Sequence, residues 1–187
     1  KFKSNPKDRQ IDRHKAFAVM KDILGIRHGL DFEMELGGYS FLGFPERITD
    51  SCSLAEFERR IAAACARDPG KPVFLLHHPP PYGTCDNSEK GCAHSTVRIL
   101  ERYPQVVSIN GHKHTSVMNE RSIWQGEFTA VATPSLSYAG IPGGYENGSS
   151  KRNGEARETM PMVPYRRDVR GGQGYLVNVW PDKIAIE

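Results

Sequence analysis

The 187-residue chain contains no apolar run approaching the roughly 20 residues a transmembrane helix needs, so no membrane span is expected. Its first residues, KFKSNPKDRQ, carry neither an apolar signal-peptide core nor a methionine. The expectation is therefore that the chain begins inside a longer protein, and that localisation cannot be read from it. An excess of one charge is also missing: 25 Lys and Arg against 22 Asp and Glu leave a net charge of +3. That balance supports neither a nucleic-acid groove nor a polybasic membrane patch. Cysteine is sparse, and Cys52, Cys65, Cys85 and Cys92 show no CxxC spacing, which argues against a structural zinc knuckle. Cys85 and Cys92 bracket the polar stretch CDNSEKGC. A bridge between them would imply an oxidising compartment, periplasmic or extracellular, and two loop thiols are the alternative. Internal repeats are absent.

What is present is an alternation of short apolar runs and amphipathic stretches, enough for one domain or a large part of one over residues 1–187. Helical spacing of Phe17, Met20 and Leu24 predicts a helix from Ile11 to Leu24. Phe32, Met34 and Leu36 alternate into Gly37-Gly38, and YSFLGF continues, which predicts a hairpin. Ser53 and Glu56 have capping-box spacing before an apolar stripe of Leu54, Phe57, Ile61 and Cys65, so a helix should run to about Asp68. The run VFLL is a strand buried on both faces. Ser95 or Thr96 then caps a helix carrying Val97, Leu100 and Tyr103, and VVSI is the next strand. Strands at Ser122–Trp124 and Phe128–Thr133 and a closing hairpin around Pro181-Asp182 complete the pattern. The fold class this implies is α/β, a mixed β-sheet with flanking helices. Between Ala139 and Gln173 lies a long basic stretch rich in Gly and Pro, read as a solvated loop or, alternatively, a substrate-binding lid.

The chemistry concentrates in two places. The strand VFLL ends in His77 and His78, followed by Pro79-Pro80-Pro81, which cannot continue a ladder. VVSI ends in NGHKHT, with His112 and His114 two apart. On an extended backbone these two share a face, with Cα atoms about 6.6 Å apart. That suits one imidazole for each member of a metal pair about 3.5–4 Å apart. Gly111 would leave room beside the metals. The intervening helix makes the two runs a βαβ unit, so both histidine groups should emerge at one carboxyl edge, where α/β sheets bind ligands.

VFLLHHPPPY followed by ERYPQVVSINGHKHT resembles the calcineurin-like metallophosphoesterase family, which includes purple acid phosphatases and cyclic-nucleotide phosphodiesterases. The resemblance spans about Pro72 to Gly140, and ATPSLSYAG fits the segment after the family's GHxH block. The family's earlier GDxxD and GNH[DE] blocks are not found in this chain, and DxH occurs only as Asp12-Arg13-His14, inside the stretch read as a helix. The resemblance therefore implies the C-terminal half of a four-layer βαβ sandwich, whose N-terminal half is a missing partner segment. It also implies hydrolysis of a small phosphodiester or phosphomonoester at a dinuclear centre of Mn, Fe or Zn. In the family's register His77 and His112 would ligate one ion and His114 the other, with His78 beside them; a bend before Pro79 would exchange His77 and His78. His94, ahead of the crossover helix, is a candidate leaving-group acid, and a helix-capping role is its alternative. Asn110 would supply a supporting hydrogen bond or merely form a turn. Tyr82 and Tyr138 would wall the pocket or simply pack there. His14 and His28 read as surface residues. The isolated chain should be inactive, and the competing reading is a non-catalytic metal-binding module.

Overall fold

The structure, a computed structural model, describes residues 31–44, 48, 51–85, 88, 94–114, 116–117, 119–134, 140–141, 144–145 and 173–187. Strands β1 (Phe32–Leu36) and β2 (Tyr39–Gly43) form the expected hairpin. Its turn residues Gly37 and Gly38 have φ of +60° and +79°. Two consecutive positive φ angles mark a type I′ turn, whose twist matches the strands and which Gly-Gly adopts without steric cost. Helix α1 (Ser51–Arg67) follows, then β3 (Val73–His77), α2 (His94–Leu100) and β4 (Val106–Asn110). A 3₁₀ turn (Glu120–Ser122) leads into β5 (Ile123–Gln125) and β6 (Thr129–Ala132). The two-residue strands β7 (Gly140–Ile141) and β8 (Gly144–Tyr145) pair with each other, as do β9 (Val177–Val179) and β10 (Ile184–Ile186).

The main sheet has six strands in the order β1-β2-β3-β4-β6-β5. The pairs β2–β3, β3–β4 and β4–β6 are parallel, and the outer pairs β1–β2 and β5–β6 are antiparallel. The α/β class with a mixed sheet therefore holds. The closing hairpin stands outside the main sheet. It forms a separate two-stranded sheet, and its Val177, Val179, Ile184 and Ile186 pack against Phe74, Val107 and Val131 of the main sheet. Alternate residues of the same strands face the helices: Leu42, Val73, Leu75, Val106 and Ala130 join Phe57, Ile61 and Leu100 in one core. Burial on both faces holds for Val73, Phe74, Leu75, Val106 and Val107, which is why these runs read as apolar, whereas Leu76, expected to be buried, is 38% exposed.

Local details differ from the sequence expectations for identifiable reasons. Helix α1 begins at Ser51, two residues ahead of the anticipated cap at Ser53. Glu56 does not reach back to close a capping box; its carboxylate takes two hydrogen bonds from the Arg59 guanidinium, both 2.7 Å. A bidentate charge-assisted pair is the stronger partner. Helix α2 begins at His94 and ends at Leu100, where Arg102 and Tyr103 donate back three residues to Ile99 and Leu100 in a tightening last turn ahead of Pro104. Tyr103 thus lies beyond the helix that was to carry it. Arg60 is buried, stacks 4.3 Å from the Phe44 ring centroid and bonds Asp31 and the Phe32 carbonyl, tying β1 to α1. The anticipated helix from Ile11 to Leu24, with His14 and His28, lies outside the described residues, as does nearly all of residues 139–173. No helix among the described residues is long and apolar enough to cross a membrane.

Burial pushes the Cys65 thiol up from 9.0 to about 11. The unfolded chain then releases this proton first, so the contribution to stability is complete below about pH 9 and is lost as pH rises from about 9 to about 11. Urea midpoints across that range should fall more steeply for wild type than for Cys65→Ala. At pH 7, Phe57→Ala, which empties a position 1% exposed, should cost about 3–5 kcal/mol in the same measurement.

Candidate functional site

Parallel pairing sets the ends of β3 and β4 side by side, with His77 opposite Asn110. The histidine pair that ends VFLL and the GHKH loop after VVSI consequently leave the sheet from one carboxyl edge. Strand alternation turns Phe74 towards the hairpin and Val73 and Leu75 towards the helices, so His77 follows on the helix side, where it is half-buried. His78 falls just past the strand in a bend and is exposed.

The corner is built around Asn110, which is 1% exposed. Its amide nitrogen donates to the carbonyls of His77 at 2.9 Å and Pro79 at 3.2 Å. Its amide oxygen accepts the Ser108 hydroxyl at 3.1 Å. Its main-chain carbonyl accepts from the Thr133 amide at 2.6 Å and the Thr133 hydroxyl at 2.9 Å. Asn110 therefore joins the ends of three strands, β3, β4 and β6. The role is larger than the turn-forming one weighed from sequence. Beyond it, Pro79, Pro80 and Pro81 are buried, and Thr84 closes the next turn onto the Pro81 carbonyl through its hydroxyl at 2.6 Å.

The loop after β4 is not extended. His112 and His114 have φ of +67° and +52° and are the non-glycine residues with positive φ among those described. Lys113 donates its amide to the Gly111 carbonyl at 2.7 Å, a bond across two residues. With positive φ at the centre, this is the classic γ-turn, the rarer and more strained form. The same-face argument for an extended HxH does not apply, because the tight turn replaces the period of two. Left-handed non-glycine residues cost about 1–3 kcal/mol each and concentrate at functional sites, and histidine tolerates them better than most. The loop is held in place at both ends: Thr133 bonds Asn110, and the Val117 amide donates to Gln173 Oε1 at 3.1 Å.

This backbone brings His112 against His78. The two rings stand edge-to-face with centroids 5.0 Å apart, and His112 Nδ1 lies 3.2 Å from His78 Nε2. Gly111 makes the approach feasible, since a Cβ there would sit 3.3 Å from His78 Nδ1. Two nitrogens each about 2.05 Å from one tetrahedral cation stand about 3.3 Å apart, so the pair has the spacing of two ligands on one ion. A direct imidazole hydrogen bond satisfies the same distance. His77 lies on the helix side of the β3 end and His114 two residues along the loop from His112. No group of three or more His, Cys, Asp or Glu side chains placed to hold a metal occurs among the described residues. The donor set fits a cation in part, through two imidazoles.

Two other candidates, Tyr82 and His94, meet each other. The Tyr82 ring stacks on His94 with centroids 3.5 Å apart and a 33° tilt. His94 is the first residue of α2 and exposed, so its ring leans on Tyr82. Tyr138 lies outside the described residues. Cys85 is buried in the core and donates its thiol to the Ser122 carbonyl at 3.4 Å, whereas Cys92 lies outside the described residues. No family model, curated protein or solved structure matches the chain.

Asn110→Ala removes the donor that satisfies two carbonyls of the His-His-Pro corner. We expect a loss of about 1–3 kcal/mol in chemical denaturation. The imidazole resonances of His78 and His112 should shift together in heteronuclear NMR spectra of the variant.

Proposed function

We propose that this chain forms the histidine-bearing half of a metal-dependent phosphoesterase of the calcineurin-like class, acting on phosphodiesters or phosphomonoesters. The observation that carries the reading is the convergence of the HHPP and GHKH loops at one sheet edge, with His112 Nδ1 3.2 Å from His78 Nε2. That contact supports His78 in place of His77 as the ligand, the exchange at the bend before Pro79. His78 and His112 are accordingly the residues to hold a cation, with His77 and His114 alongside in the same two loops. The proposed architecture is the four-layer sandwich of that class, a reading supported by the packing of the helices on one face of the main sheet and of the hairpin sheet on the other. The remaining ligands, and the second of two ions drawn from Mn, Fe or Zn, belong to a segment with the DxH, GDxxD and GNH[DE] blocks.

Metal ions at such a centre act as Lewis acids toward phosphoryl oxygens and lower the pKa of a coordinated water. The contribution of this chain is positional. Asn110 fixes the corner that carries His78, the γ-turn aims His112 at it, and Gly111 keeps the space between them clear. Pre-set geometry of this kind removes the reorganisation that ligand capture otherwise requires.

Isothermal titration of the chain with zinc or manganese should show binding that weakens at least tenfold in His78→Ala and in His112→Ala, and by a smaller factor in Gly111→Ala. Identical isotherms for wild type and both histidine variants would sink the reading. Hydrolysis of bis(4-nitrophenyl) phosphate by a chain extended to include the missing blocks, abolished by His112→Ala, would establish the enzyme. Metal binding with no turnover in the extended chain would instead identify the non-catalytic module.

A further inference from the structure

Between the main sheet and the closing hairpin lies a cavity of about 260 Å³. Its walls are Val107 and Ile109 from β4, Val131 from β6, Val177 and Ile186 from the hairpin, and the Tyr175 ring. The Tyr175 hydroxyl is committed elsewhere, donating to Ser122 Oγ at 2.8 Å, so that residue presents its ring as a fixed wall. Polar side chains line one end alone, Thr133 and Gln173. An ordered water needs two to four polar partners, which the valine and isoleucine end does not provide. An apolar cavity of about 150 Å³ already takes up benzene, and drug-sized pockets begin near 300 Å³. The space suits a single aromatic ring with a short substituent, or a chain of about five or six carbons.

The polar end of this cavity and the histidine loop share their supports. Thr133 bonds the carbonyl of Asn110 at the start of the loop, at 2.9 Å, and Gln173 bonds the amide of Val117 at its end, at 3.1 Å. The two residues that form the polar rim are therefore those that bond Asn110 and Val117 on either side of the loop. A ligand whose body fills the apolar end would direct its head towards the turn that carries His112.

We propose that this cavity is a binding pocket for a small ligand with an aryl or short alkyl body, entered body-first, with a phosphate ester head left at the GHKH loop. The assignment of the head group rests on the phosphoesterase reading; the pocket for the body does not. The two parts fail separately in one experiment. Methyl-labelled protein is titrated with phenol, phenyl phosphate and inorganic phosphate while the Val107, Ile109 and Val131 methyl signals are followed. Phenol should shift these signals saturably at millimolar concentration or below, and inorganic phosphate should leave them in place. Phenyl phosphate in the presence of zinc should bind at least tenfold more tightly than phenol. Val131→Phe fills the cavity and should weaken phenol binding at least tenfold; Val177→Phe fills it from the hairpin side and serves where the first variant does not give a native spectrum. Absence of any phenol-induced methyl shift, or equal phenol binding by both filled variants, overturns the pocket. Phenyl phosphate binding no better than phenol overturns the placement of the head while the pocket stands.

Discussion

The carboxyl edge of the main sheet is organised around a single buried amide, that of Asn110. Three consecutive prolines after His78 bring carbonyl acceptors into a corner without bringing any N–H donors, because proline has none. A buried carbonyl left without a partner costs about 1–3 kcal/mol, so such a corner requires donors from elsewhere in the fold. Asn110 has two, and it spends them on the carbonyls of His77 and Pro79. Its own acceptor is satisfied by Ser108, and its main-chain carbonyl takes both bonds from Thr133. Asn110 thereby answers the carbonyls of His77 and Pro79 while Thr84 answers that of Pro81, and Asn110 also ties three strand ends together.

The sheet that carries this edge is covered unequally. The helices bury one face with a continuous apolar core, in which Phe57, Ile61 and Leu100 meet Leu42, Leu75 and Val106. The opposite face receives the two-stranded β9–β10 hairpin, which leaves Tyr39, Phe41 and Ile109 partly exposed. A short hairpin cannot cover a six-stranded sheet to the packing density of a helical layer. The cavity behind the histidine loop is the local result, and the strain at His112 and His114 is borne by the bonds that frame it.

The elements were legible in the sequence wherever a period or a breaker determined them. Phe32, Met34 and Leu36 before Gly-Gly gave the first hairpin, because alternation and a turn needing two positive φ angles coincide there. The stripe Leu54, Phe57, Ile61 and Cys65 gave α1, although its start was misplaced, since Glu56 finds a better partner in Arg59 than in a capping box. The separateness of the closing hairpin was not legible. Strand signals report which residues can enter a sheet, and carry no information on which sheet they join.

The sequence by itself determined that two histidine-bearing loops leave one sheet edge, because consecutive apolar runs joined by a helix must lie parallel and in a right-handed crossover. Which histidines meet was decided by tertiary structure alone. A period of two describes an extended chain, and neither loop is extended: His78 lies in a bend ahead of the prolines, and the γ-turn at Gly111–Lys113 rotates His112 out of the strand pattern. Thr133 and Gln173, distant in sequence, bond the chain on either side of that turn, at Asn110 and at Val117. Local residue order cannot encode bonds to partners that far along the chain.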